Sequence, residues 1–151
     1  MEAVIFIGLQ ATGKSSFYLA RFFHSHIRIN LDMLKTRRRE DLLLQACLAM
    51  QQSFVVDNTN PTLAERARYI PPARAAGFRI AGYYFESSLG DAIRRNSTRA
   101  PEAQVPAKAI GATRKKLQLP TSGEGFDALY TVQIAPAGGF EVAPWDGEPA
   151  L

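Results

Sequence analysis

The stretch GLQATGKS, residues 8–15, follows an apolar run, VIFI (residues 4–7), and opens into SFYLARFF (residues 16–23), whose apolar residues recur at helical spacing. It fits G-x-x-x-x-G-K-S, with Gly8, Gly13, Lys14 and Ser15 at the required places. In a strand, loop and helix arranged this way, successive backbone N–H groups turn inward to form an anion-binding concavity, and the helix N-terminus adds a partial positive charge. A polyphosphate fits there. The backbone from Gly8 through Leu9, Gln10, Ala11, Thr12 and Gly13 to Ser16 would cradle it, Lys14 would reach the outer phosphates, and the Ser15 hydroxyl would ligate Mg²⁺. A nucleotide and Mg²⁺ are the expected ligands. A glycine-rich turn could match the string by accident, but here the strand and the helix both flank it.

Outward from the loop, apolar runs alternate with helical patterns. VIFI leads to a helix ending near His24, IRIN (residues 27–30) to a helical region from Asp32 to Gln52, and FVVD (residues 54–57) to a helix from about Pro61 to Ala76. RIAGYYF (residues 79–85), helices near residues 89–98 and 106–118, and LYTVQI (residues 129–134) complete the series. Such alternation predicts an α/β, three-layer P-loop architecture with a mostly parallel sheet of about five strands and a helical lid. One domain over 1–151 is expected, its lid at about 90–118 and its tail at 135–151. APEAQVPAK (residues 100–108), with two prolines and no apolar periodicity, reads as an exposed mobile part of the lid. In the tail, Phe140, Val142 and Trp145 are expected to dock on the body, with the last few residues loose.

With 151 residues, 46% of them hydrophobic, a core burying roughly 70% of the unfolded surface is within reach. Cys47 stands alone in LLLQACLAM, so no internal disulfide is possible; a small buried thiol in a reducing compartment is expected. The start MEAVIFIG lacks a basic n-region and its apolar run is too short for a span, which predicts a cytoplasmic protein without membrane contact. The net charge of +4 is gathered at Lys35/Arg37/Arg38/Arg39, Arg94/Arg95/Arg99 and Arg114/Lys115/Lys116. Polyanion contacts or solvated helix faces both account for these clusters.

Parallel sheets collect ligands at the carboxyl ends of their strands, which here are GLQATGKS, NLD, DNTNP and FESS. Asp32 after the second strand reads as a helix N-cap. It reads equally as a general base facing the P-loop, and one residue can do both. Asp57 after FVV has the placement of an acid holding Mg²⁺ beside Ser15; a turn aspartate in a turn-rich stretch is the plainer alternative. Arg95 and Arg99, one helical turn apart, could close over the β- and γ-phosphates, while an exposed pairing of Arg95 with Asp91 competes. Arg66, Arg68 and Tyr69 read as part of an amphipathic helix, and His24 and His26 as markers of a helix end and a strand start.

GLQATGKS, the strand-terminal Asp32, VVDNTNPTLAERARYIPPARAAG, RRNSTR and PTSGEGFDALYTVQI stand in the same order as in the kinase domains of 5′-hydroxyl polynucleotide kinases, which this chain resembles from Val4 to about Ile134. The resemblance implies ATP-dependent transfer of the γ-phosphate to 5′-OH ends of DNA or RNA, in repair. It implies Lys14 and Ser15 on phosphates and Mg²⁺, Asp32 as base, Asp57 as the acid after the third strand and Arg95 with Arg99 as lid arginines. It also implies a contribution of PTSGEGF (residues 120–126) to the adenine pocket. Where the family often has an arginine three residues after the base, this chain has Lys35, which brings charge without a bidentate fork. Arg37 can take that part, with Arg38 beside it on the acceptor side. The chain carries no D-x-D-x-T phosphatase motif, so 3′-end processing is expected from repair enzymes in trans. Two other readings stay open: a small-molecule P-loop kinase with a sugar, nucleoside or antibiotic acceptor, and a nucleotide-binding module that transfers nothing.

Overall fold

The computed structural model describes residues 1–145, and the expected looseness of the final residues lies outside them. Six strands form one sheet in the order β2-β3-β1-β4-β5-β6: β1 (Glu2–Ile7), β2 (Ile27–Ile29), β3 (Phe54–Val56), β4 (Arg79–Phe85), β5 (Ala128–Ile134) and β6 (Phe140–Pro144). The first five run parallel, as the alternating pattern requires, and β6 returns antiparallel along β5.

Period-two alternation divides the apolar residues between two faces. Ala3, Ile5, Ile7, Ile29, Phe54, Val56, Ile80 and Leu129 pack on one face with α3 (Arg37–Met50) and α5 (Ile70–Ala75), through Leu44, Cys47, Leu48, Ile70 and Ala73. Val4, Phe6, Val55, Phe85 and Val132 pack on the other with α1 (Lys14–Arg21), through Phe17 and Tyr18. Cys47 is buried, as expected, and burial pushes its thiol pKa up. α6 (Leu89–Ser97) and α7 (Ala107–Lys116) lie where the lid is expected, with a small core of Ala92 and Ile110 closed by Leu9 of the P-loop. No helix of the described residues is long and apolar enough to cross a membrane.

The structure adds detail to four expectations. The sheet has six strands, because Ala135 to Gly139 turn the chain back: Gly138 and Gly139 have φ of 94° and 76°, and the Ala135 N–H donates to the Gly139 carbonyl at 3.0 Å. The region after β2 is two helices, α2 (Leu31–Leu34) and α3, because Lys35 sits at φ 75° and Thr36 starts afresh by capping the Arg39 N–H. The helix expected over residues 61–76 is likewise two pieces, α4 (Leu63–Arg66) and α5, with Pro71 and Pro72 in the first turn of the second. The link between α6 and α7 is exposed, as expected, and is anchored at Val105: buried Asn96 donates to its carbonyl at 2.6 Å and accepts from its N–H at 3.0 Å.

Candidate active site

The P-loop leaves β1 and enters α1 with Gly13 in a left-handed conformation, φ 91°, where a Cβ would meet the Phe140 ring at 3.0 Å. Gly8 donates its N–H to the Thr59 carbonyl at 3.0 Å, fixing the loop to the segment after β3. Gln10 reaches the Thr113 hydroxyl at 3.0 Å, which fixes it also to the lid. The Lys14 ammonium is folded back onto the loop's own carbonyls, Gly8 at 3.1 Å and Leu9. Burial lowers its pKa to about 8, with Asp57 and Asp32 pulling upward and Arg99 adding to the fall.

Asp57 is 2% exposed at the end of β3. Its Oδ2 accepts from the Ser15 hydroxyl at 3.0 Å and from Arg28 Nε at 2.8 Å. A hydroxyl and a carboxylate are hard oxygen donors that suit Mg²⁺, and the guanidinium between them marks a point where positive charge is favoured. Among the described residues no group of three or more His, Cys, Asp or Glu could hold a metal, so such an ion would complete its shell with phosphate oxygens and water.

Asn30, not Asp32, caps α2: its side-chain oxygen accepts from the Met33 N–H at 2.9 Å and its nitrogen donates to the Asp57 carbonyl at 2.6 Å. Asp32 lies in the helix's first turn, exposed, and lines one cavity of about 580 Å³ together with Gln10 to Ser16, Asp57, Arg37, Arg95 and Arg99. The sequence-predicted base, metal pair and lid arginines are thus brought together. Arg95 donates to the Ser87 hydroxyl at 3.2 Å, and Arg94, not Arg95, pairs with Asp91, at 2.7 Å.

The acceptor side differs from expectation. Of the residues assigned there, Asp32 and Arg37 line the cavity; Lys35 and Arg38 do not. Lys35 is exposed at the helix break, where its backbone has a positive φ, and Arg37 pairs with buried Glu40 at 2.8 Å. Glu40 is a hub the sequence reading missed. It also accepts from the Tyr69 hydroxyl at 2.9 Å and from Asn58 at 3.0 Å, and Asn58 in turn accepts from the Leu31 N–H at 2.9 Å, at the start of α2. Burial and Glu40 push Tyr69 up to about 12. The one signal in sequence was an acid inside a basic run.

None of residues 120–126 lines the cavity. That loop is a clasp: Glu124 forms a two-pronged ion pair with the fully buried Arg66, at 2.7 and 3.1 Å, whose remaining terminal nitrogen donates to the Asn60 carbonyl at 2.9 Å. Arg66 is therefore a core residue that holds the segment after β3.

A family model described as "AAA domain" matches residues 34–120. A bifunctional polynucleotide phosphatase/kinase of Schizosaccharomyces pombe is 30% identical over 135 residues, covering 87% of this chain and 33% of that protein. The chain spans about a third of the length of the curated relatives it matches. Among solved structures, AvrRxo1-ORF1:-ORF2 with ATP superposes at TM-score 0.70 with 15% identity, covering 97% of this chain and 58% of that one. A gluconokinase from Sinorhizobium meliloti 1021 superposes at 0.63 with 16% identity, covering 89% and 83%. At these identities the structures share the P-loop kinase fold.

Proposed function

We propose that this chain, which belongs to the AAA-domain family of P-loop proteins, transfers the γ-phosphate of ATP to the 5′-hydroxyl end of DNA or RNA. The observation carrying this reading is the single cavity that joins the P-loop to Asp32 and to Arg95 and Arg99. Such a cavity can take a donor phosphate at the P-loop and an acceptor hydroxyl near Asp32.

In this mechanism the P-loop N–H groups cradle the phosphates, and Lys14 exchanges the loop carbonyls for phosphate oxygens. Mg²⁺ held by Ser15 and Asp57 would neutralise charge on the β- and γ-phosphates. Arg95 and Arg99 approach the transferring group from the lid and balance its charge in the transition state. Asp32 accepts the proton of the attacking 5′-hydroxyl. Arg37 meets the phosphate next to that hydroxyl, and such contacts give salt-sensitive binding with little sequence preference. In repair, the product end is ready for sealing by enzymes acting in trans.

One observation favours a small-molecule acceptor instead. Arg37 is committed to Glu40, and Lys35 and Arg38 lie outside the cavity lining, so the acceptor side holds less free positive charge than the basic run suggests. The test is transfer of radiolabel from γ-labelled ATP and Mg²⁺ to 5′-OH DNA and RNA oligonucleotides, with a 5′-phosphorylated oligonucleotide as control. Label on 5′-OH ends alone, reduced about 10²- to 10⁴-fold by Asp32→Ala while ATP still binds, is the expected result. No label with ATP binding intact moves the reading to a metabolite kinase. Unchanged transfer by Asp32→Ala overturns the assignment of the base.

A further inference from the structure

Arg28 is unexplained by phosphoryl transfer, since it does not line the cavity. It lies on β2, the edge strand, between Ile27 and Ile29, which belong to the core on the α3 side. Strand alternation turns Arg28 to the opposite face, in register with Val55 and towards the start of α1. There Nε donates to Asp57 Oδ2 at 2.8 Å, and Nη2 donates to the Ser15 hydroxyl at 3.1 Å. One guanidinium thus engages both side chains assigned to the metal.

We propose that Arg28 is a built-in competitor of the divalent cation: it occupies the Ser15–Asp57 pair in the nucleotide-free protein and sets how much metal the reaction needs. This rests on reading Ser15 and Asp57 as the metal's donors. A carboxylate 2% exposed is costly without a counter-charge, and Arg28 supplies one. Arg28, at 28% exposure, has a path to solvent that Asp57 lacks, so the arginine is the partner that leaves when a doubly charged ion arrives. The bonds to be broken are charge-assisted and cross both oxygens. Displacement then lowers apparent metal affinity by the fraction of molecules in which Arg28 is swung away. Lysine cannot reproduce the contact, because an ammonium lacks the planar fork that spans carboxylate and hydroxyl.

The probe is Mn²⁺, titrated first without nucleotide and then with ADP to supply phosphate oxygens, with the unbound ion followed by electron paramagnetic resonance. Arg28→Gln should bind Mn²⁺ about 10- to 100-fold more tightly than the unaltered protein, the range set by releasing charge-assisted hydrogen bonds. Arg28→Lys, which keeps a positive charge beside Asp57 and protects folding, should fall between them. Asp57→Asn should weaken binding in either background. If binding depends on Asp57 but is equal or weaker in Arg28→Gln, the competitor role is overturned and the metal reading stands. Binding indifferent to Asp57→Asn, or absent from both proteins even when ADP supplies phosphate oxygens, overturns the metal reading and this proposal with it.

Discussion

Replacing Glu124 by alanine isolates the energetic contribution of the clasp around Arg66. The Arg66 side chain is fully buried and that of Glu124 is 8% exposed, so the pair is closed to water. Two of the guanidinium's hydrogen bonds go to Glu124, and one, at 2.9 Å, goes to the Asn60 carbonyl. Without the carboxylate, a positive charge stays in the core with that single acceptor. Breaking a buried pair from one side typically costs about 3 to 5 kcal/mol. Typical domains hold only about 5 to 15 kcal/mol in all. For a chain of this length the loss corresponds to roughly 10 °C in Tm. Urea unfolding of Glu124→Ala at neutral pH reads the loss directly. The double variant Arg66→Met/Glu124→Leu should recover most of it, since an apolar pair needs no counter-charge. A loss below about 1 kcal/mol in the single variant, or a double variant no better than the single, would refute this account of the clasp.

Further outcomes follow from other contacts. Tyr69 keeps its proton to about pH 12, whereas an unfolded tyrosine ionises near 10. Its stabilising effect is therefore intact below pH 10 and fades as pH rises towards 12, so the gap between the protein and Tyr69→Phe in urea melts should narrow over that window. Asn96→Ala frees the Val105 backbone, and hydrogen exchange should accelerate over residues 97–105, with a global loss of about 1 to 3 kcal/mol from the unpaired groups. A lid that exchanges no faster would count against its being tied. Gly13→Ala places a Cβ against Phe140 at a left-handed φ, and should abolish nucleotide binding measured by calorimetry while the far-ultraviolet spectrum is kept.

Much of the candidate site was legible because a phosphate-binding motif is written locally. Gly8 to Ser15 are contiguous, and Asp32 and Asp57 each follow an apolar strand. Residues that act through distant partners were not legible. Arg28 looks like an edge-strand surface residue until the fold brings Ser15 and Asp57 to it, and Glu40 looks like a solvated acid until Tyr69 and Asn58 close over it. The two helix breaks depend on single residues. Lys35 adopts a positive φ that its type does not announce, whereas Pro71 and Pro72 gave a readable warning. Strand β6 was hidden by a Pro- and Gly-rich tail, although Gly138–Gly139 before FEVAP is a hairpin signal.

The β5–β6 hairpin bears on where the domain can be cut or joined to another. The family match stops at residue 120, yet β5 supplies Leu129 and Val132 to the two cores, and β6 brings Phe140 edge-on to Phe17, 5.2 Å between ring centres, and against the P-loop glycine. A fragment ending at the match would lose the wall behind the phosphate loop along with two strands. A cut inside the Ala135–Gly139 turn would keep the parallel sheet but open β5 as a bare edge. Fusion junctions therefore belong after Trp145.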